Sequence, residues 1–154
     1  MRLEAVDVRE LKELMVTYNH RPTMVLADDH VGILNRASEI LAQEFNIVAT
    51  ANDGISAVRA AMEFKPDILI LDIAMPGING IRVAHEVRRL GLTAKLVFLT
   101  VQADPDYIQT AHGIGANYVL KPRMHLDLLL AVKEALAGRS FVSPLPVMTP
   151  SARI

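Results

Sequence analysis

Five side chains carry the chemical interest of this 154-residue chain: Asp28, Asp29, Asp72, Thr100 and Lys121. Three clustered carboxylates repel one another and favour a cation between them. With oxygen ligands and no cysteine, a hard ion such as Mg²⁺ is the natural guest. A carboxylate held beside Mg²⁺ can act as a nucleophile toward phosphorus, because the metal neutralises phosphoryl oxygens that would otherwise repel it. Lys121 and Thr100 would hold the remaining oxygens once transfer occurs.

Such residues cooperate only if the chain brings them together. Short apolar runs alternate with amphipathic segments. Strand-like runs cover 23–27 (TMVLA), 47–51 (IVATA), 67–71 (DILIL), 95–99 (KLVFL) and 117–120 (NYVL). The periodicity predicts helices over 31–45, 55–64, 81–90, 105–114 and 126–137, the last stopped by Gly138. This is a βα unit five times over. It predicts an α/β fold, a parallel sheet with helices on both faces and right-handed crossovers. In open sheets of this kind function sits at the carboxyl ends of the strands. There stand Asp28 and Asp29, then Asp72, Thr100 and Lys121. Singly, each has a bland explanation: a helix cap for Asp28 or Asp29, β-propensity for Thr100, a solvated loop charge for Lys121. Their joint occurrence at four of the five strand ends is not explained that way.

These stretches resemble the receiver domain of two-component response regulators. The matching segments are VLADDH at 25–30, LILDIAMPGING at 69–80, VFLT at 97–100 and GANYVLKP at 115–122. The resemblance spans about 23–138, and LTVQADPDY is similar to the NarL/FixJ-type branch. It implies a flavodoxin-like (CheY-like), doubly wound five-stranded sheet in the order 2-1-3-4-5. It implies Asp72 as phosphoacceptor, served by a histidine kinase or a phosphotransfer protein. Asp29 would bind Mg²⁺ directly, Asp28 mainly through water, and the backbone carbonyl of Ala74 would be a further ligand. Lys121 would contact the phosphoryl group and Thr100 would hydrogen-bond it. Tyr118 matches the switch aromatic that moves inward when Thr100 moves, and Lys121-Pro122 would be a cis peptide. The surface built from the 105–114 helix, the 117–120 strand and the 126–137 helix would change shape. By the same resemblance, Val101, Ala74 and Gln102 would occupy positions that tune the kinetics.

The loop after Asp72 suits that role. Met75-Pro76-Gly77 fixes a turn, and Gly80 is expected to free the backbone before the next helix.

The remaining composition narrows the class. Apolar residues make up 51% and charged residues 21%, which suits a globular domain. Sixteen basic and seventeen acidic side chains give no electrostatic case for binding nucleic acid or membrane. The absence of cysteine excludes disulfides, thiol nucleophiles and Cys-ligated metals. No apolar run approaches a membrane span and no signal-peptide core is visible, so a cytoplasmic location is expected. Residues 1–22 read as an N-terminal extension. Leu11, Leu14, Met15 and Tyr18 form the stripe of a short amphipathic helix that would pack on its own domain, a dimer mate or a partner. Residues 139–154 read as a Pro/Ser-containing linker or tail.

Alternatives stay open at this stage. The chain would be a free-standing receiver, or a receiver cut from a longer DNA-binding transcriptional regulator. It would otherwise be a phosphorylation-independent interaction module, though the intact Asp28, Asp29, Asp72, Thr100 and Lys121 weigh against decay. A phosphatase with an aspartyl nucleophile would need an added acid–base residue and a cap; His30 is the sole nearby candidate. A flavodoxin-like cofactor binder would need a Gly-rich loop after the first strand, where ADDHVG stands instead.

Overall fold

The computed structural model describes residues 7–19 and 21–146, with the side chains of residues 14–19 left aside. Helix α1 (Val8–Asn19) precedes the alternation β1 (Thr23–Ala27), α2 (Val31–Leu41), β2 (Asn46–Ala51), α3 (Gly54–Phe64), β3 (Ile68–Leu71), α4 (Gly80–Arg89), β4 (Lys95–Thr100), α5 (Pro105–Ile114), β5 (Asn117–Leu120) and α6 (Met124–Leu136). A 3₁₀ turn, Lys121–Arg123, joins β5 to α6. The five strands are parallel in the order β2-β1-β3-β4-β5, as expected. The stripe expected at Leu11, Leu14, Met15 and Tyr18 lies on α1, but the packing of its last three members falls outside the described residues.

Strand periodicity divides the core into two layers. Val25, Ala27, Leu69, Leu71, Leu96 and Phe98 face one side of the sheet with Tyr118 and Leu120, against α3, α4 and α5. Met24, Leu26, Ile68, Ile70, Val97, Leu99 and Val119 face the other, against α2 and α6. The β3 side chains are all buried, which is why DILIL reads as a continuous apolar run rather than an alternating one. Local signals set the helix starts. Asp53 accepts a hydrogen bond from the Ser56 N–H at 2.7 Å and Asn79 one from the Arg82 N–H at 2.9 Å. Asp104 caps α5, with Pro105 in its first turn and Gly115 at φ 84° beyond its end.

Register brings the acidic residues together. Ala27 pairs with Leu71, so Asp28 and Asp72 leave adjacent central strands side by side. The Asp72 N–H donates to the Ala27 carbonyl at 2.9 Å. Thr100 pairs with Leu120 across β4 and β5, which sets Lys121 just beyond it.

Candidate functional site

Asp28 and Asp72 are each 3% exposed, and the Thr100 side chain is fully buried. The Lys121 ammonium reaches into this pair, 2.9 Å from Asp72 Oδ2 in a hydrogen bond and 2.8 Å from Asp28 Oδ2. The second contact is a charge pair with poor hydrogen-bond geometry. Asp28 Oδ2 thus has only this charge contact, and Asp72 Oδ1 is buried with no hydrogen-bond partner. Buried carboxylate oxygens in that condition are costly, and a cation is the natural complement. Asp28, Asp29, His30 and Asp72 offer ligand atoms that lie within 4.8 Å of one another. Three of these four residues supply hard oxygen donors, so the set fits a divalent ion such as Mg²⁺.

Lys121 responds to this setting. Burial disfavours its charge, but the close contacts with the Asp28 and Asp72 carboxylates outweigh burial, and its pKa stands above the ordinary lysine value. A cation with a raised folded pKa contributes stability fully below the unfolded lysine value of about 10.4. That contribution is lost as pH rises through the higher folded value. Urea unfolding at pH 8 and pH 11 should show the loss in the native chain, and Lys121→Met should remove that alkaline component. At pH 8 the same substitution leaves two buried carboxylates unpaired and is expected to cost about 3 kcal/mol.

The loop from Ile73 to Gly80 closes the site from the β3 side. The Gly80 N–H donates to the Ile73 carbonyl at 2.8 Å, and the Gly54 N–H to the Pro76 carbonyl at 3.2 Å. Gly77 turns the chain at φ 80°. The expectation for Gly80 needs correcting. Its φ is not in the left-handed region; what it supplies is room, because a Cβ there would strike the Asp72 carbonyl. Ala74 is exposed in this loop.

Thr100 Oγ accepts a hydrogen bond from the Gln102 N–H at 3.2 Å. The Gln102 carbonyl in turn accepts from the Tyr118 hydroxyl at 2.6 Å. Tyr118 is fully buried beside Phe98, with ring centroids 6.2 Å apart, so the aromatic stands inward in this structure. Burial raises its phenol pKa well above the ordinary value, and the neighbouring Tyr107, Asp104 and Asp72 add to the shift. Val101 projects outward, 61% exposed.

One expectation is overturned. No peptide bond is cis among the described residues, so Lys121-Pro122 is trans. Leu120 is extended (φ −81°, ψ 130°), and Pro122 sits early in the 3₁₀ turn, where its missing N–H costs nothing. Lys121 reaches both carboxylates from that turn.

His30, named from the sequence as an acid–base candidate, stands exposed at the rim of the site. It is the residue before α2, and its Nδ1 also lies 3.0 Å from Asp29 Oδ1 and 3.3 Å from Asp28 Oδ1. A second polar group, behind the site, was missed altogether. The Ser143 hydroxyl donates to Asp127 Oδ2 at 2.7 Å and accepts from the Leu120 N–H at 3.0 Å. Arg123 Nε donates to the same Asp127 oxygen at 2.8 Å. Burial raises the Asp127 pKa, but the bonds from Arg123 and Ser143 prevail and hold it below the ordinary value. Asn117 donates to the Ala131 and Arg139 carbonyls and accepts from the Phe141 N–H at 3.0 Å. Residues 139–143 are thus fastened to β5 and α6. The available signal was the strand-like Phe-Val-Ser triplet after the Gly138 stop.

The family model for the response regulator receiver domain matches residues 24–133, from β1 into α6. The chain belongs to that family. The receiver is 34% identical over 123 residues to the oxygen regulatory protein NreC of Staphylococcus aureus, covering 77% of this chain and 57% of that relative. Among solved structures it resembles a LuxR-family DNA-binding response regulator from Staphylococcus aureus (TM-score 0.69, 28% identity, 75% of this chain and 98% of the other). It also resembles the signal receiver domain of a response regulator called NarL from Mycobacterium tuberculosis (TM-score 0.73, 26% identity, 77% and 98%). These relatives place the receiver in the NarL/FixJ branch. The chain spans little more than half the length of the curated relative it matches. Among the described residues no helix is long and apolar enough to cross a membrane.

Proposed function

We propose that Asp72 accepts a phosphoryl group from a histidine kinase or a phosphotransfer protein, and that this switches a protein-interaction surface. In the reaction a carboxylate oxygen of Asp72 attacks phosphorus, the bond from phosphorus to the donor nitrogen breaks, and an acyl phosphate forms. The observation that carries the reading is the buried Asp72 carboxylate, held through Oδ2 by Lys121 while Oδ1 remains unengaged. Asp28, Asp29, Asp72 and the Ala74 carbonyl would hold Mg²⁺, which supplies charge neutralisation for the incoming phosphoryl oxygens. Lys121, already placed against both carboxylates, would follow the new negative charge. Thr100 would turn its hydroxyl to a phosphoryl oxygen and release the Gln102 N–H. Because Gln102 also holds the Tyr118 hydroxyl, the loop after β4 and the surface of α5, β5 and α6 would respond together.

The receiver would occupy about 23–138, with 1–22 as an extension and the residues beyond as a link toward an output partner. The similarity to a LuxR-family DNA-binding response regulator supports transcriptional output from a separate domain, and self-association through the receiver belongs to the same reading. A cytoplasmic place suits a kinase-served phosphoacceptor.

Incubation with acetyl phosphate and Mg²⁺ should add a phosphoryl group to Asp72, seen by intact mass and peptide mapping, and chelator should prevent it. Failure of incorporation at every metal concentration would end the reading. Mg²⁺ should also stabilise the unmodified chain, by roughly 2.7 kcal/mol at a hundredfold excess over Kd. An unchanged Tm across a magnesium titration would count against the metal ligands named.

A further inference from the structure

We propose that Phe141–Ser143 is a latch on β5 whose docking is set by the state of the Asp72 site. Its direction of signalling rests on the phosphoacceptor reading, but the latch itself rests on geometry. Ser143 is 1% exposed between Val142 at 40% and Leu145 at 45%, in a stretch whose composition suggests a loose tail. Both functions of its hydroxyl are engaged, toward Asp127 and the Leu120 N–H. The Ser143 N–H donates to the Tyr118 carbonyl at 2.8 Å, and the Tyr118 N–H to the Phe141 carbonyl at 2.9 Å, so the segment bridges β5 in parallel fashion.

Two routes join this latch to Asp72. One runs through Lys121: its ammonium holds Asp72, its turn carries Arg123, and Arg123 shares the Asp127 oxygen that Ser143 uses. The other runs through Tyr118, whose hydroxyl is tied to Gln102, which in turn bonds Thr100, while its backbone carries the latch. A displacement of Lys121 or of the Thr100 loop therefore acts on a segment bonded to both. Linkage requires the reverse as well: a loosened latch must alter the Asp72 site.

Amide hydrogen exchange on the 154-residue chain tests this. Ser143→Ala removes the acceptor for Leu120 and should speed exchange there by about tenfold, whereas Ser143→Thr should largely restore protection. Asp72→Asn, at the β3 end and with no hydrogen bond to the segment, should change exchange of the Ser143 amide by about threefold or more, and so should acetyl phosphate with Mg²⁺. A purely structural clamp would not respond to either. Ser143 exchange within about 1.5-fold of the untreated native chain in both cases would overturn the latch. If acetyl phosphate adds nothing to Asp72 while Asp72→Asn still shifts Ser143, the phosphoacceptor reading fails and the latch stands. If phosphorylation proceeds and Ser143 exchange stays unmoved in both cases, the reading stands and the latch fails.

Discussion

Replacing Asp72 with asparagine is expected to reduce phosphoryl incorporation from acetyl phosphate by at least about a thousandfold. An amide oxygen is a poor nucleophile, and the substitution also withdraws one of the two charges that position Lys121. The fold should survive. Asparagine is close to isosteric, and Asp28 still pairs with the ammonium. Removing one of two adjacent buried carboxylates also relieves repulsion. Circular dichroism and Tm should therefore stay near the native values while incorporation disappears. Incorporation at the native rate in a folded Asp72→Asn chain would move the phosphoacceptor elsewhere.

Gly80→Ala should do the opposite, harming the fold first. The added Cβ meets the Asp72 carbonyl and its carbon, and approaches the Cα of Ile73, all backbone atoms that no rotamer change can move. Either α4 shifts at its start or the β3 end yields. The expected cost is about 3 kcal/mol, or a Tm lower by roughly 6–12 °C for a domain of this size. Gly32 is the matched control. It lies inside α2, and a Cβ there meets nothing within 4 Å. Gly32→Ala should stabilise by roughly 0.5–1 kcal/mol. Equal melting temperatures for the two variants would show that the close approach at Gly80 is not what holds the loop against β3.

The contrast between these two glycines shows what a sequence can disclose. Both stand near helix starts, and only the folded backbone distinguishes open space from a carbonyl at contact distance. Patterns local to a few residues were legible. The buried run of β3, the Pro-Gly turn at 76–77 and the Gly138 stop all act within a window of one element, so the five βα units and their strand ends emerged with boundaries off by at most four residues, and 23–27, 105–114 and 117–120 without error. The convergence of Asp28, Asp72 and Lys121 was legible too, because parallel register carries strand ends to one edge. What escaped depends on partners far apart in sequence. Asp127 looks like a surface position on an amphipathic helix until Arg123 and Ser143 are seen to share it. Asn117 looks like a polar start to a strand until it is found bonding helix and tail. The Lys121-Pro122 geometry was expected from resemblance alone, and the turn that follows β5 accommodates the trans form.

The fastening of residues 141–143 along β5 bears on where this polypeptide can safely be cut. An expression boundary drawn at Gly138, where the last helix halts, would strip partners from the amides of Tyr118 and Leu120 and from the Tyr118 carbonyl. The outermost strand would then offer unpaired groups to any foreign strand, a recipe for sticking and misassembly at high concentration. Fragments meant for crystallisation or binding assays should run past Pro144, and their solubility should fall sharply as the end point retreats through Ser143.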